Sequence, residues 1–173
     1  MRLIFKRISA AIRASCVKRQ PYILKIELCA LAPSWQKIMK KDIIIPTVEN
    51  VFLAAVQEWS DDFMEKVWYI YLVNDSDFKL DSVMVVSKAF GTIDGEMKKT
   101  SLLRHAFIEV PAVTFMKVEM LEKSVLALNN EFMVTFFIGN TLYDRKYIFR
   151  ANSITPDYVE EVPLLFVDGV IVR

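Results

Sequence analysis

Residues 67–74 read VWYIYLVN and form the strongest strand signal in this chain of 173 residues. The side chains of an extended strand point alternately to its two faces, and both faces of this stretch are apolar or aromatic. One face carries Trp68, Ile70 and Leu72, and the other carries Tyr69, Tyr71 and Val73. Apolar side chains on both faces predict an interior strand of a sheet, with little access to solvent.

Strands of similar character are predicted on the C-terminal side of this stretch. A turn signal of Asn, Asp and Ser separates it from residues 80–90 (LDSVMVVSKAF), which read as the next strand. Residues 132–138 (FMVTFFI) and 141–149 (TLYDRKYIF) flank Gly139-Asn140. Two apolar runs separated by Gly-Asn predict a hairpin.

Turn signals divide the rest of the chain in the same way. The Asp-Gly pair at 94–95 predicts a tight hairpin, because glycine tolerates a positive φ angle. Residues 127–131 (ALNNE) predict another turn, and the apolar stretch 162–172 (VPLLFVDGVIV), which contains Asp168-Gly169, predicts one more short hairpin or an edge strand. Residues 51–59 (VFLAAVQEW) are compatible with a strand or with a short helix, because two alanines dilute the strand pattern.

The fold class follows from the spacing of these runs. About seven or eight strands are separated by turns, with no long helical pattern between them. This pattern excludes alternating strands and helices around a parallel sheet. It predicts an all-β, antiparallel two-sheet sandwich that is immunoglobulin-like in its general architecture.

Charge is distributed unevenly along the chain. The whole sequence carries a formal net charge of +1, whereas residues 1–38 carry +7 and residues 39–173 carry −6. Both cysteines also lie in the first segment. We therefore predict a basic N-terminal extension over residues 1–38 and a β-sandwich domain over residues 39–173.

Three interpretations of the N-terminal extension remain open. Its apolar residues have helical spacing, which is typical of an amphipathic targeting segment. Its basic residues are also typical of a helical or disordered arm that contacts a membrane surface or a nucleic acid. Alternatively, Met39 begins a stretch that reads as an ordinary start, and we then expect the preceding residues to come from a start codon assigned too far upstream.

Several stretches resemble a group of small uncharacterised bacterial proteins. These stretches are MKKDIIIPTVENVFLAAV (39–56), WYIYLVNDSD (68–77), KTSLLRHAFIEVPA (99–112) and LNNEFMVTFFI (128–138). Some members of that group carry the label phenylalanyl-tRNA synthetase alpha subunit. A synthetase core has a glycine-rich element and arginine-bearing motifs, whereas the four glycines here are scattered. We interpret the label as a naming error, so the resemblance implies no mechanism.

One cluster of cationic and hydroxyl side chains stands out in the acidic domain. This basic cluster contains Lys98, Lys99, Thr100, Ser101, Arg104 and His105. Such groups bind a phosphate, a carboxylate or the backbone of RNA through charge-assisted hydrogen bonds, which makes this cluster a candidate site for an anion or a partner. The alternative is an exposed hairpin end whose lysines discourage strand pairing between molecules. We predict no metal ligand set and no cofactor, because the single histidine has no second ligand at a metal-binding spacing.

Residues 141–149 predict a candidate aromatic interface. Tyr143, Arg145, Tyr147 and Phe149 share one face of this strand. Aromatic residues interleaved with arginine are typical of a subunit interface, of core packing or of a surface that stacks on bases. The charge of −6 on residues 39–173 disfavours nucleic acid, because phosphate attraction dominates that binding.

These observations predict a non-catalytic interaction module that binds a protein partner or forms a homo-oligomer. The alternative is a small nucleic-acid- or tRNA-associated protein that uses the basic cluster. No uncharged run approaches the roughly 20 residues of a membrane-spanning helix. We expect a cytoplasmic protein, because the predicted domain has no cysteine framework.

Overall fold

The computed structural model describes residues 46–173, which form one compact unit. This unit contains ten strands, one short α-helix and one short 3₁₀-helix. In chain order the elements are β1 (Val51–Ser60), β2 (Glu65–Asn74), β3 (Leu80–Ile93), β4 (Glu96–Lys99), β5 (Leu103–Val110), β6 (Thr114–Leu121), α1 (Lys123–Leu126), β7 (Asn129–Ile138), β8 (Thr141–Phe149), the 3₁₀-helix (Pro156–Tyr158), β9 (Glu160–Val162) and β10 (Val167–Val172).

The strands form two antiparallel sheets. Sheet A has the order β6-β2-β1-β10-β9. In sheet B, β3 lies between β7 and an edge formed by β4 and β5, and β8 follows β7. The predicted all-β antiparallel sandwich is thus confirmed. The strand number exceeds seven or eight because β4 and β9 are only four and three residues long.

The stretch around residues 67–74 is an interior strand, as predicted. Strand β2 pairs with β1 on one side and β6 on the other. Ile70 and Leu72 are fully buried in the main core between the two sheets. Tyr71 and Val73, on the opposite face, are buried in a second apolar cluster with Phe52. Both faces of β2 are therefore covered.

Three local predictions have a definite outcome. Residues 51–59 belong to a strand, because their fully buried alanines pack tightly between β2 and β10. Both predicted hairpins at 94–95 and 139–140 are confirmed, with the glycines at φ angles of +78° and +59°. The predicted turn at 127–131 is wrong in its second half, because β7 already begins at Asn129.

Residues 162–172 contribute to a short hairpin, as predicted, because β9 pairs antiparallel with β10, and the Asp-Gly pair at 168–169 lies within β10 rather than at the turn. The chain turns between Val162 and Val167 instead, while Gly169 pairs with β1 and β9. An added Cβ at Gly169 would lie 2.8 Å from the Ala55 carbonyl oxygen and 2.8 Å from a Val162 methyl carbon. Glycine is thus required here by the close approach of two strands rather than by a turn.

The structure bears differently on the predicted N-terminal extension and on the predicted absence of a membrane-spanning helix. The predicted N-terminal extension, residues 1–38, lies outside the described residues. Within the described part of the chain, no helix is long and apolar enough to cross a membrane.

Candidate functional site

The structure divides the basic cluster between the two faces of sheet B. Lys99 lies opposite Phe90 in the register of β3 and β4, on the face that points away from sheet A. His105 lies opposite the fully buried Val85, and therefore points toward sheet A. Arg104, one residue earlier, points outward. We call the side of sheet B that points away from sheet A the outward face.

Three other members of the cluster have local roles. The Lys98 ammonium group forms an exposed ion pair with Glu96 at 2.7 Å. The Thr100 hydroxyl accepts a hydrogen bond from the backbone N–H of Ala89 at 2.9 Å and donates one to the carbonyl oxygen of Ser101 at 3.0 Å. Thr100 thereby holds the connection between β4 and β5 against β3.

His105 joins the two sheets. Its Nε2 atom lies 2.7 Å from Oε2 of Glu119, a side chain of β6 that is only 8 % exposed. The Ser87 hydroxyl donates a hydrogen bond of 2.9 Å to the same oxygen. Among the hydrogen bonds of the described residues, none joins Ser87 directly to His105, and both side chains bind the same carboxylate oxygen. Ser87 and His105 of sheet B thus both bind Glu119 of sheet A, and we call these three residues the inter-sheet clasp.

Lys99 and Arg104 are the members of the cluster that remain open to solvent on the outward face. Within residues 46–173, neither side chain has an acidic partner at ion-pair distance. A hollow of about 410 Å³ lies beside Lys99 and is also lined by Phe90, Lys88 and Met97. The predicted anion site therefore reduces to two separate cations at one end of the outward face.

The predicted aromatic interface faces the core. Tyr147 is 1 % exposed and Phe149 is fully buried, so neither side chain reaches a partner. The ring of Tyr143 stacks on the buried Phe136, with 5.4 Å between centroids. Arg145 donates a hydrogen bond of 2.8 Å to the carbonyl oxygen of Val48. The prediction of an interface on this face is therefore wrong, and core packing is the outcome.

Burial governs the chemistry of Tyr147. Its hydroxyl donates a hydrogen bond of 2.6 Å to the carbonyl oxygen of Val51. Loss of hydration raises the pKa of Tyr147 to about 12, against a smaller lowering by the nearby charge of Arg145. The hydroxyl is thus a neutral structural donor between the two sheets.

The opposite face of β8 belongs to an exposed apolar surface. Five large apolar side chains on the outward face of sheet B are between 38 and 50 % exposed. They are Met84, Met133, Phe137, Leu142 and Ile148, and half-buried Val86 lies among them. Adjacent exposed apolar residues on one sheet face mark an interaction surface more often than single exposed residues do.

Charges on the outward face are separated along the strand direction. One end, near the start of β3, carries Asp81, Glu109 and Asp144. The other end carries Lys88, Lys99, Arg104 and Lys146. We call these the acidic end and the basic end.

Each end contains one residue of the opposite charge that forms two ion pairs. Lys79 forms ion pairs with Asp81 at 2.9 Å and with Glu109 at 3.1 Å, and these contacts raise the pKa of Lys79. At the basic end, Glu131 lies 2.7 Å from the Lys88 ammonium group and 3.6 Å from that of Lys146. The hydrogen bond from Lys88 lowers the pKa of Glu131 despite the opposing effect of burial. The acidic end keeps a net negative charge and the basic end a net positive charge.

A second charged cluster lies on the outer side of sheet A. Lys117 donates a hydrogen bond of 2.7 Å to Glu58, and its ammonium nitrogen lies 3.5 Å from the ring centroid of Tyr69. Tyr71 also donates to Glu58; burial and then this hydrogen bond raise the pKa of Tyr71 to about 12. For Lys117, burial lowers the pKa, but hydrogen bonds with Glu58 and Tyr71 outweigh it and leave the pKa raised. The charges and hydrogen-bonding groups of these residues are thus paired with one another within the network.

Only part of this network could be predicted from the sequence. Alternation along β2 places Tyr69 and Tyr71 on one face, but Glu58 and Lys117 come from β1 and β6. Their positions depend on a register that includes a β-bulge between Ile70 and Tyr71.

The turn after β2 contains the sequence Asn74-Asp75-Ser76, an Asn-x-Ser pattern that is a glycosylation acceptor in secreted proteins. Asn74 is fully buried and donates hydrogen bonds to the carbonyl oxygens of Phe78 at 2.9 Å and Pro111 at 2.8 Å. The Ser76 hydroxyl donates to the Asn74 side-chain oxygen at 2.6 Å. The Asn-x-Ser motif therefore organises a turn, and its asparagine is inaccessible to a glycosylating enzyme.

No protein-family model matches this chain, and no curated protein matches it. Among residues 46–173, no group of three or more His, Cys, Asp or Glu side chains is placed to hold a metal ion. The fold and the outward face are therefore the basis of the functional proposal.

Proposed function

We propose that this protein is a non-catalytic β-sandwich interaction module that self-associates through the outward face of sheet B. The observation that carries the proposal is the group of exposed apolar side chains centred on Met84 and Met133. A sheet buries an apolar face against another layer, and here the layer on the outer side of sheet B is missing from the described unit. Burial of apolar surface contributes roughly 25 cal/mol per Å².

The position of this face supports association rather than core packing. Sheet A already covers the inner side of sheet B, where Phe132 and Val134 are buried. Their neighbours Met133 and Phe137, which point the other way, remain exposed. A protein surface is the class of partner that fits an apolar face with charged ends.

A nucleic-acid-associated function is the second candidate. Two observations favour this function. Lys99 and Arg104 provide positive charge on the outward face, and the ring of Phe90 lies between lysines of β3 and β4, where a base could stack. Residues 46–173 carry a formal charge of −7, which opposes attraction to phosphate. Two predictions from the sequence remain proposals. They are the resemblance of residues 39–173 to small bacterial proteins and the cytoplasmic location.

Sedimentation equilibrium of the full chain over a range of concentrations tests the first candidate. We expect a concentration-dependent dimer that Met133→Lys disrupts, because the substitution places a charge in the centre of the apolar face. Met64→Lys is the matched control, since Met64 is exposed in the turn between β1 and β2 of sheet A. A wild-type monomer at all concentrations would contradict self-association.

A salt-dependent shift of RNA mobility tests the second candidate. We expect any binding to fall with Lys99→Glu and Arg104→Glu, while Lys66→Glu in sheet A leaves it unchanged. No binding at low ionic strength would remove this candidate.

A further inference from the structure

We infer that two copies of this chain stack outward face to outward face, related by a two-fold axis perpendicular to the strands. This inference rests on the proposed self-association and specifies its geometry. In such a dimer the acidic end of one copy lies over the basic end of the other, and β8 lies over β8.

The separation of charge along the strands selects this axis. A two-fold axis parallel to the strands would place the acidic ends of the two copies together and the basic ends together. Like charges at an interface are costly, whereas opposite potentials that meet favour both association and register. The perpendicular axis satisfies both ends at once, and symmetry makes every contact occur twice.

Register identifies the charges that meet. On β8, Asp144 lies opposite Thr135 of β7, and Lys146 lies opposite Met133. The centre of the charge pattern falls between these two rows, so the axis places Asp144 of one copy against Lys146 of the other. By the same rotation, Glu109 at the acidic end approaches Lys99 at the basic end.

The middle of the interface is apolar. Met84 of β3 lies in the same row as Asp144, and Val86 and Met133 lie in the row of Lys146, so the two central strands place apolar side chains beside the charges of β8. Aligned sheets pack about 10 Å apart with their strands inclined by about 30°, a separation that these side chains fill.

The size of the face places the inferred dimer in a class of interfaces. Four strand positions about 4.8 Å apart and eight residues with a rise of about 3.3 Å give about 500 Å² per copy. A total of about 1,000 Å² is at the lower limit for a specific interface. Interfaces near this limit are typical of transient complexes, so we expect a reversible dimer.

A charge swap tests the inferred geometry. Lys146→Asp places two acids, and Asp144→Lys two lysines, at the contact across the axis. Each variant alone is expected to weaken the homodimer by about tenfold or more, because two symmetric contacts become repulsive. An equimolar mixture is expected to form the heterodimer with wild-type affinity, since every contact is again between opposite charges.

Native mass spectrometry with one variant labelled with ¹⁵N separates the heterodimer from the homodimers. Lys66→Asp and Asp62→Lys are the matched controls, because they change charge equally on exposed residues of the β1–β2 region. Circular dichroism shows whether each variant is folded. If a β8 variant fails to fold, the exposed pair Lys99→Glu and Glu109→Lys replaces it.

The outcomes distinguish the inference from the proposed function. Loss of each homodimer with recovery in the mixture supports the inferred axis. A wild-type dimer that both charge variants keep, or that the mixture fails to restore, overturns the axis and leaves self-association intact. A monomeric wild-type chain overturns self-association and the inferred geometry together.

Discussion

The hydroxyl of Tyr147 in β8 donates a hydrogen bond of 2.6 Å to the carbonyl oxygen of Val51 in β1. This contact connects sheet B to sheet A through two residues separated by 96 positions in the chain. Both residues are buried, so water does not compete for either group. The bond therefore contributes to the alignment of the two sheets as well as to stability.

Tyr147→Phe is expected to destabilise the domain by about 1–2 kcal/mol, because a buried carbonyl loses a donor while the ring still fills its site. Urea unfolding followed by circular dichroism measures this change. Tyr158→Phe is the control, since Tyr158 is exposed and its hydroxyl reaches water. Equal stability of Tyr147→Phe and wild type would show that the hydrogen bond makes no net contribution to the free energy of unfolding.

Alkaline pH is expected to weaken the fold. The pKa of Tyr147 and that of Tyr71 are raised to about 12 from an ordinary value of 10.0. Because the folded state raises both pKa values, this stabilisation is complete below pH 10 and is lost as pH rises toward 12. Spectrophotometric titration of tyrosinate should show at least two late groups, of which Tyr147→Phe removes one. Ionisation of all tyrosines near pH 10 in the folded protein would refute the prediction.

Gly169→Ala is expected to destabilise the domain by about 1–3 kcal/mol, since the added methyl group meets a backbone oxygen. The 2.8 Å approach to the Ala55 carbonyl oxygen leaves no room without movement of β1 or β10. Gly91→Ala is the comparison, because its added Cβ meets the flexible end of Leu128 at 3.0 Å. The thermal midpoint should fall more for Gly169→Ala, and the reverse order would contradict this explanation.

Glu119→Ala is expected to cost about 1–3 kcal/mol, because it removes the acceptor of two hydrogen bonds. His105→Ala and Ser87→Ala should each cost less, since one donor still reaches the carboxylate. Double-mutant cycles measured by urea unfolding give the coupling of each donor to Glu119. Glu122→Ala, on an exposed residue of the same region, is the control. Zero coupling in both cycles would show that the clasp does not join the sheets.

Much of the fold was predictable from local patterns. The two apolar faces of residues 67–74 predict an interior strand because no side of such a strand tolerates water. The hairpins at 94–95 and 139–140 were predictable because glycine adopts a positive φ angle there. The short hairpin within residues 162–172 was also predictable, but the role of Gly169 was not, since this glycine serves close packing inside a strand.

The location of the candidate site was not predictable from the same patterns. Alternation along β8 separates Tyr143 and Tyr147 from Leu142 and Ile148, but it does not state which set faces the core. Both sets contain large apolar residues, and the choice depends on the side from which sheet A packs.

The basic cluster shows a second reason why the location of the candidate site was not predictable from the sequence. In an uninterrupted strand, Lys99 and Arg104 lie an odd number of residues apart and point to opposite faces. The hydrogen-bonded connection at Thr100 and Ser101 interrupts the alternation, so β4 and β5 follow the same edge of β3 and both cations point outward.

Residue order thus sufficed for the all-β class, because strand periodicity and turn chemistry are local properties of the chain. The inter-sheet clasp, the Tyr147–Val51 bond and the outward face with its charged ends arise from the pairing of strands distant in sequence. Register and sheet packing are long-range, and they decided which of two similar faces became the core and which remained exposed.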